Sequence, residues 1–155
     1  MCKFVKKMKN IFALACLLLV GYIAKSQEPS IFQKNGLALD GYDVVAFFTE
    51  HKPVKGVAEF SYQYQGVQWL FSSDQHRQMF EKEPLKFLPQ YGGYCAFGMS
   101  RGYKAPTEAF AFTLMNQKLY FNYNLKVMDV WVKDSGQYIK RADSSWVKFA
   151  PKNLP

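Results

Sequence analysis

The sequence predicts an α+β fold: a small antiparallel sheet of two hairpins plus an N-terminal strand, with short helices packed on it. Three observations carry this. Phe60, Tyr62 and Tyr64 alternate with polar residues up to Gly66, and Val67, Trp69 and Phe71 resume beyond it, which is period two on both sides of a turn. Phe110 and Phe112 alternate before Asn116-Gln117, and Leu119-Tyr120-Phe121 returns. Between and after these hairpins, apolar residues recur at helical spacing.

The chain of 155 residues suffices for one domain with a real core, and an aromatic content of 17% argues against disorder. Residues 1–26 read as a secretory signal peptide. Lys3, Lys6, Lys7 and Lys9 form a basic start, Ile11 to Ala24 is an apolar run, and Ala24-Lys25-Ser26 offers small residues before a cut at Gln27. The run is short for a membrane span and has no basic stop-transfer flank, so no stable anchor is expected after cleavage. The expected location is periplasmic or extracellular. Cleavage removes five lysines and no acid, lowering the formal charge from +8 to +3. With no basic cluster left, nucleic-acid binding is not expected. Cleavage also removes Cys2 and Cys16 and leaves Cys95 as the sole thiol, which excludes an internal disulfide.

Residues 27–38 read as a flexible lead-in, 39–148 as the domain and 149–155 as a tail. Asp40-Gly41 is a turn signal, and Val44 to Phe48 is rich in strand formers, giving the expected N-terminal strand. Asp43 before it reads as a turn-capping aspartate, and His51 beside Lys52-Pro53 as solvated. After the first hairpin, Ser72 with Gln75 fits a capping box, and His76, Met79 and Phe80 share one helix face. Pro84 stops that helix. The glycine-rich stretch from Gln90 to Tyr103 suits neither a regular helix nor a strand. After the second hairpin, Asn122 or Asn124 can cap a helix over about Leu125 to Lys133, with Leu125, Met128 and Val132 on one side. Gly136 breaks it, and Tyr138 to Trp146 forms further short helical turns.

Tyr42 to Phe48, Pro53-Val54-Lys55-Gly56, Trp69 to Ser73, and above all Pro89-Gln90-Tyr91-Gly92-Gly93-Tyr94-Cys95-Ala96-Phe97-Gly98 resemble the YHS domain family. Lys118 to Asn124 continues the likeness, which runs from about Leu39 to Trp146 and is closest to exported, stand-alone bacterial members. The resemblance implies metal handling, often of copper, since YHS domains occur beside heavy-metal ATPases. The paired cysteine-and-methionine motif of the ATPase-linked version has no counterpart at Asp43 to Ala46, so a multi-thiolate site within one chain is excluded.

Soft ligands select Cu(I), and imidazole suits copper and zinc. The candidate metal ligands are therefore Cys95, His76 and Met99, with copper expected first and zinc second. Tyr91, Tyr94 and Tyr103 are the rings that would line a pocket in the alternative reading. There the domain takes a small ligand or a protein partner and Cys95 is a buried structural residue. Partners expected on the two readings are a metal ion or small ligand and a metal-handling protein. A cysteine-dependent enzyme is the third reading, since His76 could serve as a base but no acid or amide partner for it is identifiable. Binding stands ahead of catalysis.

Overall fold

The computed structural model describes residues 30–151, so the signal segment lies outside the described residues. The elements run β1 (Gln33–Lys34), β2 (Leu37–Ala38), α1 (Val44–Thr49), β3 (Val57–Tyr64), β4 (Val67–Phe71), α2 (Asp74–Lys82) and α3 (Pro84–Phe87). Then follow α4 (Ala96–Ser100), β5 (Phe112–Met115), β6 (Lys118–Phe121), α5 (Leu125–Val132) and α6 (Ser135–Trp146). The class is α+β. One sheet has the order β1-β2-β4-β3, with β2 parallel to β4 and the other pairs antiparallel, and β5-β6 form a separate two-stranded ribbon. Both expected hairpins are present, turning at Gln65-Gly66 and Asn116-Gln117. All four turn residues have positive φ, as the turns that match strand twist require.

The run from Val44 to Phe48 is a helix, not the expected strand. The reason lies in the residue before it. Asp43 is fully buried, and its Oδ1 accepts from the amides of Val45 and Ala46 at 2.9 and 3.2 Å. That supplies two of the orphan donors of a helix start. Val44, Val45, Ala46 and Phe47 are all fully buried, so packing on every side overrides strand propensity.

Four smaller expectations are corrected. The described part of the lead-in is packed, with Ile31 and Ala38 buried and two short strands formed. The cap of α2 is Ser73, whose hydroxyl accepts from the His76 amide, rather than Ser72. Ser72 is drawn instead to Asp43, to which its amide and hydroxyl both donate. Helix α5 is capped by Asn124 as expected, but Leu125 and Val132 of its predicted face are about half exposed and Trp131 is the buried residue. Gly136 sits inside α6, one continuous helix, and the break falls at Asp134.

Two apolar cores result. The larger gathers Val45, Phe47, Trp69, Phe71, Phe80 and their neighbours, and the smaller gathers Tyr91, Ala96, Met99, Tyr120, Trp131 and Ala142. Strand β6 divides them by its own alternation: Leu119 and Phe121 enter the first and Tyr120 the second. Phe80 is the aromatic hub of the first, with its ring centroid 5.0 Å from Trp69 and 5.3 Å from Phe71.

Asp43→Ala removes a helix cap and strands buried donors. Asp43→Asn keeps one acceptor but turns an amino group toward the donors of Ser72 and His76. Each substitution is expected to lower unfolding free energy by about 3 kcal/mol. Chemical denaturation of both variants against wild type measures this.

Candidate functional site

The glycine-rich stretch folds as a left-handed turn followed by a short helix. Tyr91, Gly92 and Gly93 have φ of 56°, 63° and 85°. Glycine is needed at the last two positions for space as well as for φ. A Cβ at Gly92 would lie 1.9 Å from the Ser30 carbonyl oxygen, and one at Gly93 2.6 Å from the Leu39 side chain. The turn is thereby pressed against the N-terminal strands, and the Phe32 amide donates to the Gly92 carbonyl at 2.8 Å.

Cys95 follows as the cap of α4. Its side chain is sealed, with the residue 1% exposed. The sulfur accepts from the amides of Gly98 at 3.4 Å and Tyr123 at 3.2 Å, and the thiol donates toward Asn122 Oδ1 at 3.8 Å. The Cys95 amide donates to Ala105. Asn122 is itself fully buried. Its Oδ1 also accepts from the Phe97 amide, while Nδ2 has no partner among the described residues. Met99 lies one helical turn beyond Cys95 and is fully buried in the smaller core.

His76 is held elsewhere, beside the larger core. Asp43 Oδ2 lies 2.6 Å from its Nδ1, and Ser72 Oγ is 3.3 Å from the same nitrogen. The carboxylate only accepts, so Nδ1 carries the proton. Its Nε2 lies 3.3 Å from Thr49 Oγ1. Cys95 and His76 share no hydrogen-bonding partner. The structure thus puts Cys95 and Met99 on one short helix and leaves His76 out. Among the described residues, no group of three His, Cys, Asp or Glu side chains is placed to hold a metal ion. Both ring nitrogens of His76 are engaged, and the sulfur of Cys95 has three partners.

The three tyrosines also part company. Tyr91 is buried, and its hydroxyl donates to Asp143 Oδ1 at 2.8 Å. Burial first, and that carboxylate second, push its phenol well above the ordinary tyrosine value. Burial and then Asp143 raise Tyr120 in the same sense. Tyr94 is buried edge-on to Phe32 with Lys104 over its ring, whereas Tyr103 is half exposed. A cleft of about 190 Å³ opens beside Tyr91 and Gly92, bordered by Leu85, Asp143 and Trp146, and neither Tyr94 nor Tyr103 lines it.

The residue missed in the sequence is the partner of His76. Asp43 reads locally as a cap, which it is. That it also grips a histidine 33 positions on has no signature in spacing.

Residues 45–91 match the family model of the YHS domain, which supports a place in that family. His76 lies inside the match; Cys95 and Met99 lie beyond it. No curated protein and no solved structure matches the chain.

The folded chain holds the Tyr91 proton more tightly than the unfolded chain. The stability this contributes is therefore complete below the unfolded tyrosine value of about 10 and is lost as pH rises above it. Urea midpoints measured from about pH 9 to about pH 11 are expected to fall more steeply in wild type than in Tyr91→Phe.

Proposed function

We propose that this YHS-domain chain is an exported, non-catalytic module that binds a small ligand, and that its single mature thiol is structural. The observation that supports this is the environment of Cys95. The sulfur is sealed from solvent, accepts two amide donors, and closes the joint between α4 and the end of β6. A thiol used that way behaves as a small buried residue with a polar atom already satisfied. The nucleophile reading requires a base within hydrogen-bond reach, and the only histidine near a core is bound to Asp43. Export rests on the composition of residues 1–26.

Metal binding, copper first and zinc second, is the second reading, supported only in that the YHS match fits a family of metal-binding modules. In this chain it rests on Cys95 and Met99 alone, one helical turn apart, with further ligands from a second chain or a metal-handling partner.

One pair of measurements on the chain from Gln27 onward separates the readings. Native Cys95 is expected to resist iodoacetamide and to react fully in denaturant. Cu(I) titration is expected to give the same weak binding for wild type and Cys95→Ser. Tight Cu(I) binding that disappears in Cys95→Ser would replace the structural thiol with a metal site.

A further inference from the structure

A second cleft, of about 200 Å³, lies between the residues around Leu39 and the loop that enters β5. Its wall is a strained element. Leu39, Asp40 and Gly41 have φ of 51°, 55° and 75°, three consecutive left-handed residues of which two carry side chains. Such conformations cost of order 1–3 kcal/mol each and cluster where a chain is shaped for a ligand.

The cleft is lined by side chains of both charge signs. Lys34 and Asp40 line it, and Asp40 Oδ2 is shared by Lys34 at 3.7 Å and by Lys55, which lies outside the lining, at 3.5 Å. Two ammonium groups against one carboxylate leave a net positive group. Lys55 is further held over the Tyr42 ring at 3.9 Å and by the Asp40 carbonyl. Glu108 also lines the cleft, exposed, and its carboxylate has no ion pair or hydrogen bond among the described residues. Phe110 in the same lining stands 62% exposed, edge-on to Tyr42.

We propose that this cleft binds a small zwitterion with a short apolar group, of the chemical class of a free aliphatic amino acid. Its ammonium pairs with Glu108, its carboxylate with Lys34, and its apolar part sits against Phe110. A lone cation or a lone anion matches one charge and is repelled by the other, so the presence of both signs is the selective element. The volume favours a molecule of few heavy atoms. This rests on the small-ligand reading above and names its site and ligand class.

The test is amide NMR titration of the chain from Gln27 onward with three probes: L-valine, isobutylamine and isovalerate. Valine is expected to shift the amides of Asp40, Glu108 and Phe110, with either half-molecule binding at least about tenfold more weakly. Glu108→Gln and Lys34→Gln change exposed side chains, and each is expected to weaken valine about tenfold with the unfolding midpoint unchanged. Equal binding of valine and isobutylamine would overturn the zwitterion assignment. Shifts confined to the cleft beside Tyr91 would overturn the site while keeping the small-ligand reading. Silence to all three probes would overturn the proposal, and the structural thiol would still be judged separately by alkylation.

Discussion

The carboxylate of Asp43 is the constraint on which the rest of the structure depends. It is fully buried and accepts at both oxygens, from two helix amides on one side and from Ser72 and His76 on the other. A buried charge is tolerable only with such a set of donors. The consequence is geometric: the start of α1, the end of β4 and the first turn of α2 converge on one group. The larger core is enclosed by those same elements, with Phe47, Phe71 and Phe80 close-packed around the strut.

A second pair of constraints acts at the backbone. Two left-handed turns, at 39–41 and 91–93, press on one another where Gly93 meets the Leu39 side chain. Phe32 joins them, donating its amide to Gly92 and accepting at its carbonyl from Leu39. Each turn borders one cleft. The strained backbone is thus held by the packing of the N-terminal strands, the part of the chain that composition alone presents as a lead-in.

The thiol and the histidine have different partners. Cys95 caps α4 and receives the Tyr123 amide, while His76 is bound to Asp43 beside the larger core. Their separation is what moves the functional reading from metal and covalent chemistry toward ligand binding at a cleft. It also gives the charged rim of the cleft beside Leu39 its importance, since that rim holds Glu108 as an anion without a cation among the described residues.

Both hairpins, their turns, the inward face of Phe80 and the Asn124 cap are local in origin and were readable in the sequence. Alternation, turn residues and capping spacing act within a few positions, and local patterns report such forces. Cys95 as the single thiol beyond residue 16 was likewise a matter of counting. The sequence misled where burial is two-sided. Val44 to Phe48 carries strand formers, and only an aspartate whose second oxygen is satisfied 29 and 33 residues away makes it a helix. The placement of His76, Cys95 and Met99 could not be read either. His76 is an apolar-face residue by spacing, while Cys95 and Met99 fall in a glycine-rich stretch with no periodicity to place them. By itself the sequence determined the class, the hairpins and the candidate residues. Tertiary structure decided which candidates meet, because their contacts span distances over which no periodicity carries information.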